Sequence, residues 1–209
     1  MKKYMDKFRQ NIHINKNLFV FLLVIVIVGV AAGSIFSIII DSSDKNLVSN
    51  FLNDFFNNVY SKKLNFNNSF INALIFTVLF GFLIWILGLS VIGFFVILVM
   101  LFLKAFILGF SVSSIIINFK LKGVLYSLIY IFPHQVINVL VFMILSGYAL
   151  IISFKIIRCF TLKKTLDFRN ILNRYVRVLI ISIIFLILTS LYEAYVMPKL
   201  LNILLSFFK

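Results

Sequence analysis

The sequence predicts an all-α fold, a polytopic integral membrane helix bundle of about five transmembrane helices, on three observations. Of its 209 residues, 63% are hydrophobic and 12% are charged, where a soluble domain is about half apolar and a quarter charged. Five apolar regions reach the ~20 residues that a helix needs to cross a bilayer. Twelve of the twenty basic residues sit in two places beside such regions, the N-terminal tail (Lys2, Lys3, Lys7, Arg9, Lys16) and 155–177 (Lys155, Arg158, Lys163, Lys164, Arg169, Arg174, Arg177). That is the distribution of the positive-inside rule. The net charge of +14 therefore reads as topology and attraction to anionic membrane lipid, with no nucleic acid as partner.

The elements follow in chain order. Residues 1–17 form a basic cytoplasmic tail and 18–40 the first span. Ala31-Ala32-Gly33 looks like a signal cleavage site, but the apolar run continues to Ile40, so the segment reads as an uncleaved signal anchor. An external loop, 41–69, holds apolar doublets at Leu47-Val48, Phe51-Leu52, Phe55-Phe56 and Val59-Tyr60. Their four-residue spacing is close to helical. The amphipathic helix so predicted offers Leu47, Phe51, Phe55, Phe56 and Tyr60 to the membrane surface or a partner. Packing on its own bundle is the equal alternative.

The second span, 70–89, and the third, 91–117, join through a short uncharged link with Gly88 and Gly93, as a tight hairpin requires. A small loop at 118–123 leads to a fourth apolar run, 124–154, which at 31 residues is too long for one upright span. It contains Ile131-Phe132-Pro133-His134-Gln135-Val136. Proline lacks the donor N–H and crowds the preceding turn, so this helix is expected to be kinked or broken near Pro133. A re-entrant half-helix before Pro133 is the alternative. The basic cytoplasmic segment 155–177, a fifth span at 178–197 and an external tail at 198–209 complete the chain. The N-terminus is then cytoplasmic and the C-terminus outside.

Small residues recur every four positions: Gly29, Gly33 and Ser37; Ala73, Thr77 and Gly81; Ala105, Gly109 and Ser113. Such spacing lets helix backbones approach closely. Ionisable residues within spans are costly and default to a functional hypothesis. Lys104 lies 13 residues from Ile117, about 20 Å deep at the helical rise. His134 and Asn138, four residues apart, share one helix face near that level, and Glu193 is expected closer to the surface. The buried polar cluster Lys104, His134, Asn138 and Glu193 reads as a register-fixing network, with transport chemistry as the rival.

Catalysis finds little support: two histidines, six acids, and none of the nucleophile, zinc or phosphate-loop motifs. No catalytic, cofactor-binding or metal-binding residues are assigned, and no cofactor is expected. The one cysteine, Cys159, excludes an intrachain disulfide and reads as a structural thiol.

Several stretches together resemble the stage II sporulation protein M family: Trp85–Gly93, Lys104 with Gly109-Phe110, Pro133-His134-Gln135, and Glu193-Ala194-Tyr195 with Pro198. The resemblance covers nearly the whole chain in motif order, span order and the basic segment before the last span. It implies a non-enzymatic scaffold of endospore-forming bacteria. It also implies stage II sporulation proteins P and D as partners, which degrade peptidoglycan at the septal membrane during engulfment.

Overall fold

The computed structural model describes residues 16–61, 66–90, 92–162 and 168–207. The basic tail through residue 15, with Lys163 and Lys164, lies outside these, as do the side chains of Tyr60 and Cys159. The described residues are helical with short connections, and no strand occurs among them. In order the helices are α1 (Lys16–Ile39), α2 (Ser42–Tyr60), α3 (Phe66–Leu87), α4 (Gly93–Tyr130), α5 (Phe132–Leu162) and α6 (Phe168–Leu191). A π-helical turn (Tyr192–Val196) and α7 (Met197–Phe207) follow. Five stretches are long and apolar enough to cross a membrane: Lys16–Ile39, Phe70–Leu87, Gly93–Tyr130, Phe132–Ile157 and Arg169–Leu204. Helices satisfy their own backbone groups, which is what lipid demands of a spanning segment.

α1 packs chiefly on α4, α5 lies between α4 and α6, and α3 packs on α6. The α1–α4 seam is built from small residues. A side chain at Gly33 would strike the Phe106 carbonyl, and one at Gly109 would strike the Val30 carbonyl. At Gly29 a Cβ would come within 2.9 Å of the Ala105 Cβ. Ser37 and Ser114 hydroxyls bond across the seam at 2.9 Å, and Ser34 Oγ donates to the Gly109 carbonyl at 3.3 Å. Gly81 differs: a Cβ there would meet only side chains, the nearest the tip of Leu186 at 3.1 Å.

At the end of the bundle where α3 turns into α4, Tyr175 is fully buried. Its hydroxyl donates to the Trp85 carbonyl at 2.8 Å, and its ring stacks on Trp85 at 5.3 Å. Gly88 lies directly under that hydroxyl, and Gly93 against the Leu87 carbonyl, so neither position has room for a larger residue. Ser153 Oγ closes it by donating to the Ser90 carbonyl at 3.0 Å.

At the opposite end the chain reverses inside α4. Lys120 has φ 52° and ψ −128°, the first central position of a type II′ turn and one that favours glycine. Gly123 consequently sits against the Ile115 carbonyl and the Ile116 backbone, although eight residues of straight helix would hold Gly123 and Ile115 about 12 Å apart. The loop expected at 118–123 is thus a single sharp turn. Residues 121–130 run back toward α5, and the junction follows from Pro133. Ile131 N–H still reaches the Ser127 carbonyl at 2.9 Å and Gln135 N–H the Ile131 carbonyl at 3.1 Å, but the proline between them donates nothing. The long fourth element is therefore interrupted where the sequence predicts.

The last span differs from its expected end at Met197. Apolar helix continues to Leu204, with Met197 and Leu201 fully buried. Pro198 would crowd the carbonyl four residues back in a regular helix. The wider π turn immediately before it relieves that crowding, and the chain carries on into α7.

Two residues separate α2 from α1, and α2 covers this same end. Phe56 and Val59 are buried against Ile115, Tyr126, Ile131 and Leu201. The Phe56 ring lies 4.8 Å from Phe119 and 5.1 Å from Tyr126. Burial of a side chain this large contributes about 1.5–3 kcal/mol, so α2 is fastened to the bundle by its inner face. Of the candidate partner residues, Phe56 is spent on the core, Phe55 is half-buried, and Leu47 and Phe51 remain exposed at 67% and 72%.

Candidate functional site

The intramembrane polar residues converge where α4, α5 and the last span meet. His134 and Asn138 lie four residues apart on α5; Thr189 and Glu193 lie four apart on α6 and the π turn. The two helices run in opposite directions, so these pairs form a two-rung ladder. On one rung His134 Nε2 lies 3.8 Å from Glu193 Oε2. On the other, Thr189 Oγ1 has two acceptors for its one proton, Asn138 Oδ1 at 2.6 Å and the Leu186 carbonyl at 2.9 Å. Ser190 Oγ also caps the Leu186 carbonyl, at 2.9 Å.

Burial makes these contacts matter. His134 and Asn138 are 2% and 1% exposed, whereas Glu193 keeps 28%. His134 Nδ1 is buried without a hydrogen-bond partner. Buried polar groups without partners are scarce in native folds, and each one marks strain, function or a place for water.

Lys104 enters from α4. Its Nζ sits 5.4 Å from the Phe142 ring centroid and 5.5 Å from that of Phe80, within cation–π range. The acid it interacts with electrostatically is Glu193. The cluster thus brings together one amine, one carboxyl and one imidazole, held by an aromatic pair and a hydroxyl–amide contact. Glu193 stands on the π turn, where Met197 N–H bonds the Tyr192 carbonyl instead of the regular partner. Such turns recur at functional sites because one extra residue re-aims its neighbours.

The sequence reading named Lys104, His134, Asn138 and Glu193. It missed Thr189, Phe80, Phe142 and Tyr130. The spacing of Thr189 from Glu193 repeats that of His134 from Asn138, and this matched pair of intervals was the available signal. Tyr130 links the cluster outward, its ring 6.1 Å from His134 and 5.0 Å from Phe55 of α2. The glycines and Ala105 lie elsewhere, in the α1–α4 seam, the α3–α4 link and the core. Among the described residues, no three of His, Cys, Asp and Glu gather as metal ligands would.

The family model described as Stage II sporulation protein M matches residues 18–198. The chain belongs to that family. The match reaches into all five apolar spans and takes in the α2 helix and every member of the polar cluster. It identifies a multi-pass membrane protein of a sporulation family. No curated protein and no solved structure matches the chain.

Proposed function

We propose that this member of the stage II sporulation protein M family is a non-enzymatic membrane scaffold. It localises peptidoglycan-degrading partners, stage II sporulation proteins P and D, to the septal membrane while the forespore is engulfed. Its N-terminus lies in the cytoplasm, and α2 and the C-terminus face the wall. The observation that carries the reading is the family match over residues 18–198. Two features support it. Helices locked by backbone contact at Gly33 and Gly109 make a stiff platform. A helix fastened by Phe56 and Val59 presents its other faces at the end away from the basic segment. The test is capture: the tagged full chain is purified from sporulating cells in mild detergent, beside an unrelated polytopic protein. Enrichment of both hydrolases is expected. An inserted, abundant chain that brings down neither, even after crosslinking, overturns the scaffold.

The buried cluster favours a second reading, a channel or transporter subunit whose path passes Lys104, His134 and Glu193. Reconstituted liposomes decide it. A measurable ion flux, abolished by Lys104→Met while hydrolase capture survives, would add transport to the scaffold; such a flux in a chain that captures neither hydrolase would replace the scaffold reading with this one.

A further inference from the structure

On α2, Asp44, Leu47, Phe51, Asp54 and Asn58 follow one another at intervals of three, four, three and four residues, the spacing of a single helix stripe. All five are exposed. The stripe runs beside the buried one and is presented rigidly by it, so a ligand meets it already ordered. Its centre is apolar and each flank carries an acid. The whole chain has only six acids against twenty basic residues, yet three of them, Asp41, Asp44 and Asp54, lie at or in this helix. A bilayer is a poor occupant, because sinking Leu47 and Phe51 into it would drag Asp44 and Asp54 along. A second copy is also a poor one, since it would set acid against acid.

We propose that Asp44, Leu47, Phe51 and Asp54 form a docking stripe for a basic amphipathic segment of a wall-side protein. Apolar side chains of that segment cover Leu47 and Phe51. Two of its cations, about 15 Å apart by the helical rise between the two acids, meet Asp44 and Asp54. Charge at such a rim sets orientation and on-rate, while the apolar centre supplies the affinity. The proposal rests on the scaffold reading for placing α2 on the wall side, and it names the surface that reading leaves open.

The test places a photoreactive benzoylphenylalanine at position 47, 51 or 53 of the full chain in sporulating cells. Asn53 is exposed on another face and serves as control. Protein adducts are expected from 47 and 51 and not from 53. Asp44→Lys with Asp54→Lys should cut them at least tenfold at unchanged membrane levels. Where that double variant fails to insert, the neutral pair Asp44→Asn with Asp54→Asn decides, with a smaller loss expected. Adducts with lipid or a second copy, no adducts, or protein adducts indifferent to both charge variants overturn the stripe. Hydrolase capture is scored on the same cells. Capture by the parent that is undiminished in Leu47→Ser with Phe51→Ser overturns the stripe and leaves the scaffold standing. A parent that captures neither hydrolase overturns the scaffold, and the adducts then judge the stripe alone.

Discussion

Gly33 meets the Phe106 backbone across α1 and α4, whereas His134 meets Glu193 across α5 and the last span. Both contacts join neighbouring helices, but they fail in opposite ways. The first depends on atoms that are absent, so any added side chain pushes two backbones apart. The second depends on functional groups that are present, so it fails when one partner is lost and the other stays buried. A seam of the first kind has one state. A cluster of the second kind can change its protonation or hydration without unfolding, which is why the candidate site lies there.

The largest effect is expected at the seam. Gly33→Leu should destabilise the bundle by about 3 kcal/mol, read as loss of folded protein in detergent unfolding. Gly81→Ala should cost far less, because the neighbouring Leu186 tip can move; equal costs would erase the distinction between seam and core. Next, Glu193→Gln strands Lys104 and should cost about 2 kcal/mol, discounted for the partial exposure of the carboxylate. Adding Lys104→Met should recover most of it in the same assay, since it removes the cation left without its carboxylate. Thr189→Val removes the second rung and should cost about 1 kcal/mol. Lys120→Gly should stabilise by about 1 kcal/mol, because glycine accepts that backbone conformation without strain. A neutral outcome there would deny strain at the reversal.

The contrast also explains what could be read from the sequence. Spans, the small-residue seam and the interruption at Pro133 were legible because each depends on residue type at short spacing. The reversal at Lys120 was not, since a lysine stands where the turn favours glycine and nothing local announces it. The split of α2 was hidden because two apolar stripes lie side by side, and only the bundle decides that Phe56 turns in and Phe51 out. At the candidate site, Lys104 and His134 stood out as polar residues in apolar runs. Glu193 was expected nearer the surface because it stands four residues before Met197, the expected end of the span. Only the π turn allows helix to continue past it, and that turn has no sequence signature.

That turn has a consequence for how this chain tolerates insertion and deletion. Tyr192–Val196 holds one residue more than a regular turn would, so it acts as a stored phase offset between α6 and α7. Met197 N–H already bonds the Tyr192 carbonyl, so removing Ala194 would turn that bond into an ordinary helical one and leave everything beyond it in phase. Met197 and Leu201 would stay in the core they now fill, and α2 would keep its support, whereas a deletion within α6 would rotate both by about 100°. A one-residue deletion here would therefore be felt at the point of change, where Pro198 would crowd the preceding turn, rather than at the far end of the molecule.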